Sequence, residues 1–298
     1  MLTDFHRSSN LHAIRHAGRR AMVAGVSLGW LWLSATAPAH EENSLVVEKL
    51  TDQIAAAPND AQLYLKRAEM QRLTEHWHAA EADYARAREL APELAIIDLA
   101  FATMWNDAGM PERALPLLDR FIQHNGQNPD GYSERGRAKR ILQQWTSAAA
   151  DFATALKLTP QPCPENFSVW AATLEDGQHD AEALEVLNQG LARLGNIASL
   201  ETMALNLEEK TAQFDLALRR LDSMLERPGR KETLLVRKAA VLIAADTPEA
   251  ARPVLALAHS ELAALPDDRR LSAAMQKVAA DIECMNQSLS GPTPTPSK

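Results

Sequence analysis

Aromatic side chains make up only 5% of this chain, glycine is sparse at 12 of 298 residues, and runs of β-branched residues are scarce. Buried strands read as such runs, so a sheet-based fold finds little support. There are two cysteines, Cys163 and Cys284, too few for a disulfide framework and without metal-ligand spacing. No nucleophile elbow, phosphate-binding glycine loop, HExxH or metal quartet occurs, so neither a catalytic centre nor a cofactor site is expected. Positive charge is also in deficit. A formal net charge of −8 argues against a general affinity for phosphate backbones. What remains is 46% apolar and rich in alanine and leucine, the strongest helix formers. The fold class is all-α.

Residues 1–39 read as a signal peptide. Arg15, Arg19 and Arg20 form a basic start, an apolar run extends from Ala21 to Ala35, and Ala37-Pro38-Ala39 is a small-residue cleavage site. The apolar run is shorter than the ~20 residues that span a bilayer, although an uncleaved anchor is the other reading. No cysteine follows it to carry a lipid. Cleavage after Ala39 would leave His40 as the first residue of a periplasmic or secreted protein. Arg19-Arg20 also raises the twin-arginine route, from which Met22 and Val23 depart.

Beyond residue 60 the chain repeats. Ala80, Ala114, Ala148, Ala183, Ala217 and Ala251 follow one another at intervals of 34, 34, 35, 34 and 34 residues. Twelve residues before each lies Ala68, Ala102, Gly136, Ala171, Leu205 or Ala239, with Leu205 the one large member. Four residues after each lies Tyr84, Leu118, Phe152, Leu187, Leu221 or Leu255. Small residues mark where two helices come closest, and the bulky residue fills the volume beside them.

A 34-residue helix–turn–helix with these columns resembles the tetratricopeptide repeat family, and in particular its exported bacterial members. Ala61–Pro92 carries the pattern through Tyr64, Ala68, Ala80, Tyr84, Ala87 and Pro92, and Pro129–Pro160 through Tyr132, Gly136, Ala148, Phe152, Ala155 and Pro160. The other copies are degenerate: Asp98 and Glu201 occupy the first aromatic column, and Gly126, Gly195, Gly229 and Ala263 replace the closing proline. The resemblance implies a right-handed α–α superhelix of six hairpins over 61–262. An amphipathic helix in 40–60 would cap its start, and one long helix over 263–289, with Leu271, Met275, Val278 and Ile282 as its apolar stripe, would cap its end. The tail 290–298, GPTPTPSK at its close, is expected to be disordered.

A longer period overlies the short one. The column Gln71, Trp105, Lys139, Leu174, Glu208, Leu242 alternates polar and apolar, and Trp77, Trp145 and Phe214 open the second helix in odd hairpins alone. Either two hairpins form the unit, the odd-hairpin ring covering volume left by its polar column, or six short samples coincide.

In this family the first helices line a concave groove that binds peptides or proteins. The resemblance therefore places partner-binding residues at Leu65, Glu69, Arg72, Asn106, Arg137 and Arg140, with Thr103, Asp107, Ser133, Ser168, Ala172 and Glu175 beside them. Arg72, Arg137 and Arg140 are a basic cluster in an acidic chain. They suit a peptide carboxylate, or they pair with Glu69 and neighbouring acids. The lysine–asparagine clamp that some members use is not recognisable. The expectation is a non-catalytic scaffold or adaptor of the bacterial envelope, with a protein or peptide partner, no nucleic acid, and no membrane span once the signal is removed. The alternative is a secreted enzyme or metal binder with a site near His40 or His76/His78, although no third ligand stands at a suitable spacing. A further alternative is self-assembly through the convex face. The two cysteines fall about three repeats apart and are expected to be free, buried thiols.

Overall fold

The structure, a computed structural model, describes residues 37–290, with side chains from residue 43. The leader up to residue 36 and the tail from residue 291 lie outside the described residues. Within them are fifteen helices and no strand. Helix α1, Ala37–Ala56, comes first, so the Ala39–His40 junction falls in its opening turns. Six helical hairpins follow: α2 (Ala61–Leu73) with α3 (Trp77–Leu90), α4 (Ile96–Asp107) with α5 (Pro111–His124), and α6 (Pro129–Ile141) with α7 (Trp145–Leu158). The remaining three are α8 (Pro164–Asp176) with α9 (Asp180–Leu194), α10 (Ala198–Lys210) with α11 (Phe214–Glu226), and α12 (Glu232–Ala244) with α13 (Pro248–Ala263). Each second helix packs against the first helix of the next hairpin, and α1 packs against α2.

Local chemistry explains the boundaries. Asp60 and Asn128 cap α2 and α6 by accepting from the backbone N–H groups of Gln62 and Asp130, at 2.9 and 2.8 Å. Proline opens α5, α6, α8 and α13, where a missing N–H costs nothing. Within every hairpin the turn is the same device. Glu75, Gly109, Gln143, Gln178, Ala212 and Asp246 all adopt left-handed backbone, φ 55–72°. The next residue donates its N–H to the carbonyl five residues back, at 2.8–2.9 Å: His76 to Gln71, Met110 to Trp105, and so through Thr247 to Leu242. This is a Schellman closure. One of the six is glycine.

The alignment columns are the core. All six alanines from Ala80 to Ala251 are fully buried, as are Tyr84, Leu118, Leu187, Leu221 and Leu255. An added Cβ on Gly136 would sit 3.1 Å from the Phe152 ring, which is why the smallest residue stands there. Leu205 is fully buried in the small-residue column, and α10 and α11 pack less closely than the helices of the other hairpins. A leucine where the others carry alanine or glycine holds the fifth hairpin apart.

Two expectations need correction. The terminal helix is not continuous over 267–289: α14, Asp267–Arg270, ends at Leu271, and Ser272 starts α15, Ala273–Ser290, its hydroxyl accepting from the Met275 N–H at 3.4 Å. Met275, Val278 and Ile282 cover the last hairpin, whereas Leu271 at the break is 66% exposed. Both cysteines are free but exposed. Cys163 precedes α8 with its Sγ 3.2 Å from Asn166 Oδ1, and Cys284 faces outward on α15.

The longer period is an ionic one. In the third and fifth hairpins the polar column is matched by charge across the hairpin, while in the first Asp83 pairs with Arg67 and not with Gln71. Lys139 Nζ lies 2.7 Å from Asp151 Oδ2, and Arg220 forks onto Glu208 at 2.6 and 2.9 Å. Arg67 grips Asp83 at 2.7 Å through both nitrogens and reaches Thr51 of α1, while Arg135 grips Asp151 and reaches Asp119 of α5. The two degenerate aromatic positions are ion pairs as well: buried Asp98 holds Arg120, and buried Glu201 holds Arg227 at 2.7 Å.

Candidate functional site

The first helices of successive hairpins approach one another, as α2 with α4, α4 with α6 and α8 with α10, so they form the inner, concave side of the stack. Along that side runs a ladder of ion pairs. Arg72 joins Glu69 of its own helix, at 3.0 Å, to Asp107 of α4. Arg137 of α6 takes the other oxygen of Asp107, at 2.5 Å, and Asn106 donates to the carbonyl and carboxylate of Glu134 at 3.0 and 2.9 Å. Arg140 reaches Asp176 of α8 at 2.9 Å. Lys210 of α10 reaches Glu175 and Asp180 at 3.4 and 2.8 Å, and Arg237 of α12 reaches Glu209 at 2.6 Å. Every junction between consecutive first helices is bridged.

The rungs differ in exposure. The side chains of Arg72 and Asp107 are 12% and 9% exposed, whereas those of Arg140 and Asp176 are 39% and 42% exposed. Burial works against the charge on Arg72, but Glu69 and Asp107 outweigh it and hold the guanidinium above its ordinary pKa. Arg137 behaves alike, with Glu134 and Asp107 overcoming the cost of burial. Behind the ladder the Tyr84 hydroxyl donates to Glu69, and burial together with that carboxylate raises the phenol well above its usual range.

The structure therefore brings Glu69, Arg72, Asn106, Arg137 and Arg140 to one face and gives each a partner within the chain. Leu65 is buried in the core of the first two hairpins, and Asn106 is 3% exposed, so neither offers its side chain to solvent. Sequence reasoning missed Asp176, Lys210, Glu209 and Arg237 as rungs. The signal was present: the bridging partners stand 28, 30, 35 or 36 residues apart, one repeat with a small offset.

Between the exposed rungs of Arg140 with Asp176 and Lys210 with Glu175 lies an uncharged register. Ser133, Ser168 and Thr202 occupy one register of the first helices in hairpins three to five and are partly or fully exposed. The same register is Leu65, Leu99 and Val236 in the other three, all buried. Elsewhere, His76 is exposed with its Nδ1 2.8 Å from the Thr74 hydroxyl, His78 is exposed, and the side chain of His40 lies outside the described residues. Among the described residues no three His, Cys, Asp or Glu side chains gather as a metal site, and no helix is long and apolar enough to cross a membrane.

No family model matches the sequence. Among solved structures, the chain is similar to a tetratricopeptide repeat protein from Parabacteroides merdae, with 15% identity over 82% of this chain and 94% of that one, at a TM-score of 0.51. It is also similar to a MamA protein, with 15% identity over 57% of this chain and 92% of that one, at a TM-score of 0.50. The fold is a tetratricopeptide-repeat solenoid. Five of its six hairpin turns use a residue other than glycine in left-handed backbone.

Proposed function

We propose that the protein is a non-catalytic scaffold that holds an extended peptide or a second protein against the inner face of hairpins three to five, in the envelope of a bacterial cell. The observation that carries this reading is the strip of Ser133, Ser168 and Thr202 between rungs of matched charge. Small hydroxyls leave room for a backbone to approach and offer it acceptor oxygens, Ser168 and Thr202 donating their own protons to Glu165 and Ala198 of their helices. The flanking charges are mutually satisfied, so the strip does not select an anionic partner by net field. The envelope setting rests on the features of residues 1–39, and sequencing the N-terminus of the protein from fractionated cells tests it, with His40 expected and Met1 refuting cleavage.

The binding reading is tested by photocrosslinking in the native envelope from positions 133, 168 and 202, with Glu185 on the exposed side of α9 as the outward control. One protein captured from the three inner positions, absent from position 185 and no longer captured from position 202 in the Ser133→Trp/Ser168→Trp variant, is the expected result. Equal capture from position 185, or none from within, overturns it.

A further inference from the structure

The stack is not equally tight along its length. We infer that the junction between the third and fourth hairpins is a hinge, latched on the groove side by Arg140 and Asp176. Four observations meet there. The single 35-residue interval places its extra residue in the connection 159–163, which carries Pro160 and Pro162 and runs into Pro164 at the start of α8. Two of those residues have no N–H with which to tie the connection to its neighbours. On the groove side α6 and α8 stand further apart than α4 and α6 or α8 and α10, and a solvent-exposed ion pair, 2.9 Å long, spans the gap.

An open cleft of about 980 Å³ lies beside the third hairpin, between this connection and the preceding one, lined by Asn125, Gln127, Asn128, Pro129, Asp130, Thr159 and Gln161. Arg193 of α9 donates to the Pro160 carbonyl at 3.2 Å and ties the connection to the fourth hairpin. The hairpins themselves hold together through α7 against α8, where Ala149 and Leu156 join the apolar cluster of α8 and Trp145 lies so close to Gly177 that a Cβ on the glycine would meet it at 2.8 Å. That contact is the pivot. Helices α10 and α12 also stand apart, but there Leu205 and Val241 share one apolar cluster, which salt does not loosen. At the hinge no buried apolar cluster joins the inner helices α6 and α8, and the exposed Arg140–Asp176 pair that spans them is weakened by screening. Ionic strength, or a partner that competes for Arg140, would then set the angle between the two halves of the groove.

The test is pulsed dipolar spectroscopy on the full chain with Cys163→Ser and Cys284→Ser. Spin labels go at Glu93 and Asn196, which are exposed on either side of the hinge, and a control pair at Asn59 and Glu93 lies wholly on one side. Raising salt from about 0.1 M to about 1 M shortens the screening length from about 10 to about 3 Å. The cross-hinge distribution is expected to shift and broaden in high salt, and to do so in low salt in the Arg140→Gln variant. The exchanged pair Arg140→Asp/Asp176→Arg should restore the original distribution, and the control pair should not move. A cross-hinge distribution unmoved by both salt and Arg140→Gln, or a control pair that moves equally, overturns the hinge. Failure of the exchanged pair to restore it overturns the latch.

Discussion

Glu208 and Arg220 join the helices of the fifth hairpin at the places where Lys139 and Asp151 join those of the third, with the charges exchanged. Even hairpins put Trp105 with Leu117, Leu174 with Val186 and Leu242 with Val254 at the same two places. In the second to sixth hairpins the two places are therefore matched, charge against charge or apolar against apolar; in the first, Gln71 stands opposite Asp83, whose partner is Arg67. A buried charge without its partner is costly, whereas a well-packed apolar pair of similar volume is often neutral or better.

Glu208→Ala is expected to cost about 3 kcal/mol or more, because it strands Arg220 in a largely buried setting. The double variant Glu208→Leu/Arg220→Val copies the pair found in the fourth hairpin and is expected to recover most of that loss. Denaturant unfolding of the two variants beside the unaltered protein measures both. A double variant no better than the single would show that the charges do more than fill the site.

The turn residues give a second expectation. Ala212 sits at φ 55° with no side-chain interaction to recommend it there, while Gly109 fills the same role in the second hairpin without strain. Ala212→Gly should stabilise the protein by roughly 0.5–1 kcal/mol, and Gly109→Ala should destabilise it by a similar amount. Opposite shifts in thermal midpoint are the readout.

Tyr84 makes stability depend on pH at the alkaline end. Its phenol is raised in the folded state by burial and by Glu69, so the unfolded chain loses that proton first as pH rises. The contribution is complete below the unfolded value of about 10 and is lost progressively above it. Unfolding midpoints measured from neutral pH upward should fall beyond that point, and fall less steeply in Tyr84→Phe.

Cys163 and Cys284 are both exposed and unpaired. A thiol reagent added to the native protein should titrate two groups per chain without denaturant. Reaction of fewer than two until the chain is unfolded would contradict the exposed positions.

The repeat was legible because packing one helix on another demands a small residue at a fixed interval, and Ala68, Ala80 and their successors record that demand directly. Leu205, the exception in its column, marks the fifth hairpin, whose helices pack less closely than the others. The inner face was only half legible. Arg72, Arg137 and Arg140 stood out as a basic cluster, but their partners Asp107 and Asp176 lie 30 to 36 residues away, one repeat shifted by a few residues either way. That offset depends on how far each hairpin rotates on the last. Leu271 misled for a different reason: its spacing fits the stripe of α15, but Ser272 restarts the helix and turns it outward.

By itself, then, the order of residues determined the hairpins, their number and their core, because those depend on contacts between helices a few residues apart along the chain. The tertiary structure decided which charges meet. It turned the degenerate aromatic positions Asp98 and Glu201 into buried ion pairs and the three groove arginines into rungs held by neighbouring hairpins. Those contacts form between hairpins, and their geometry follows from the stacking angle, a quantity that no single repeat contains.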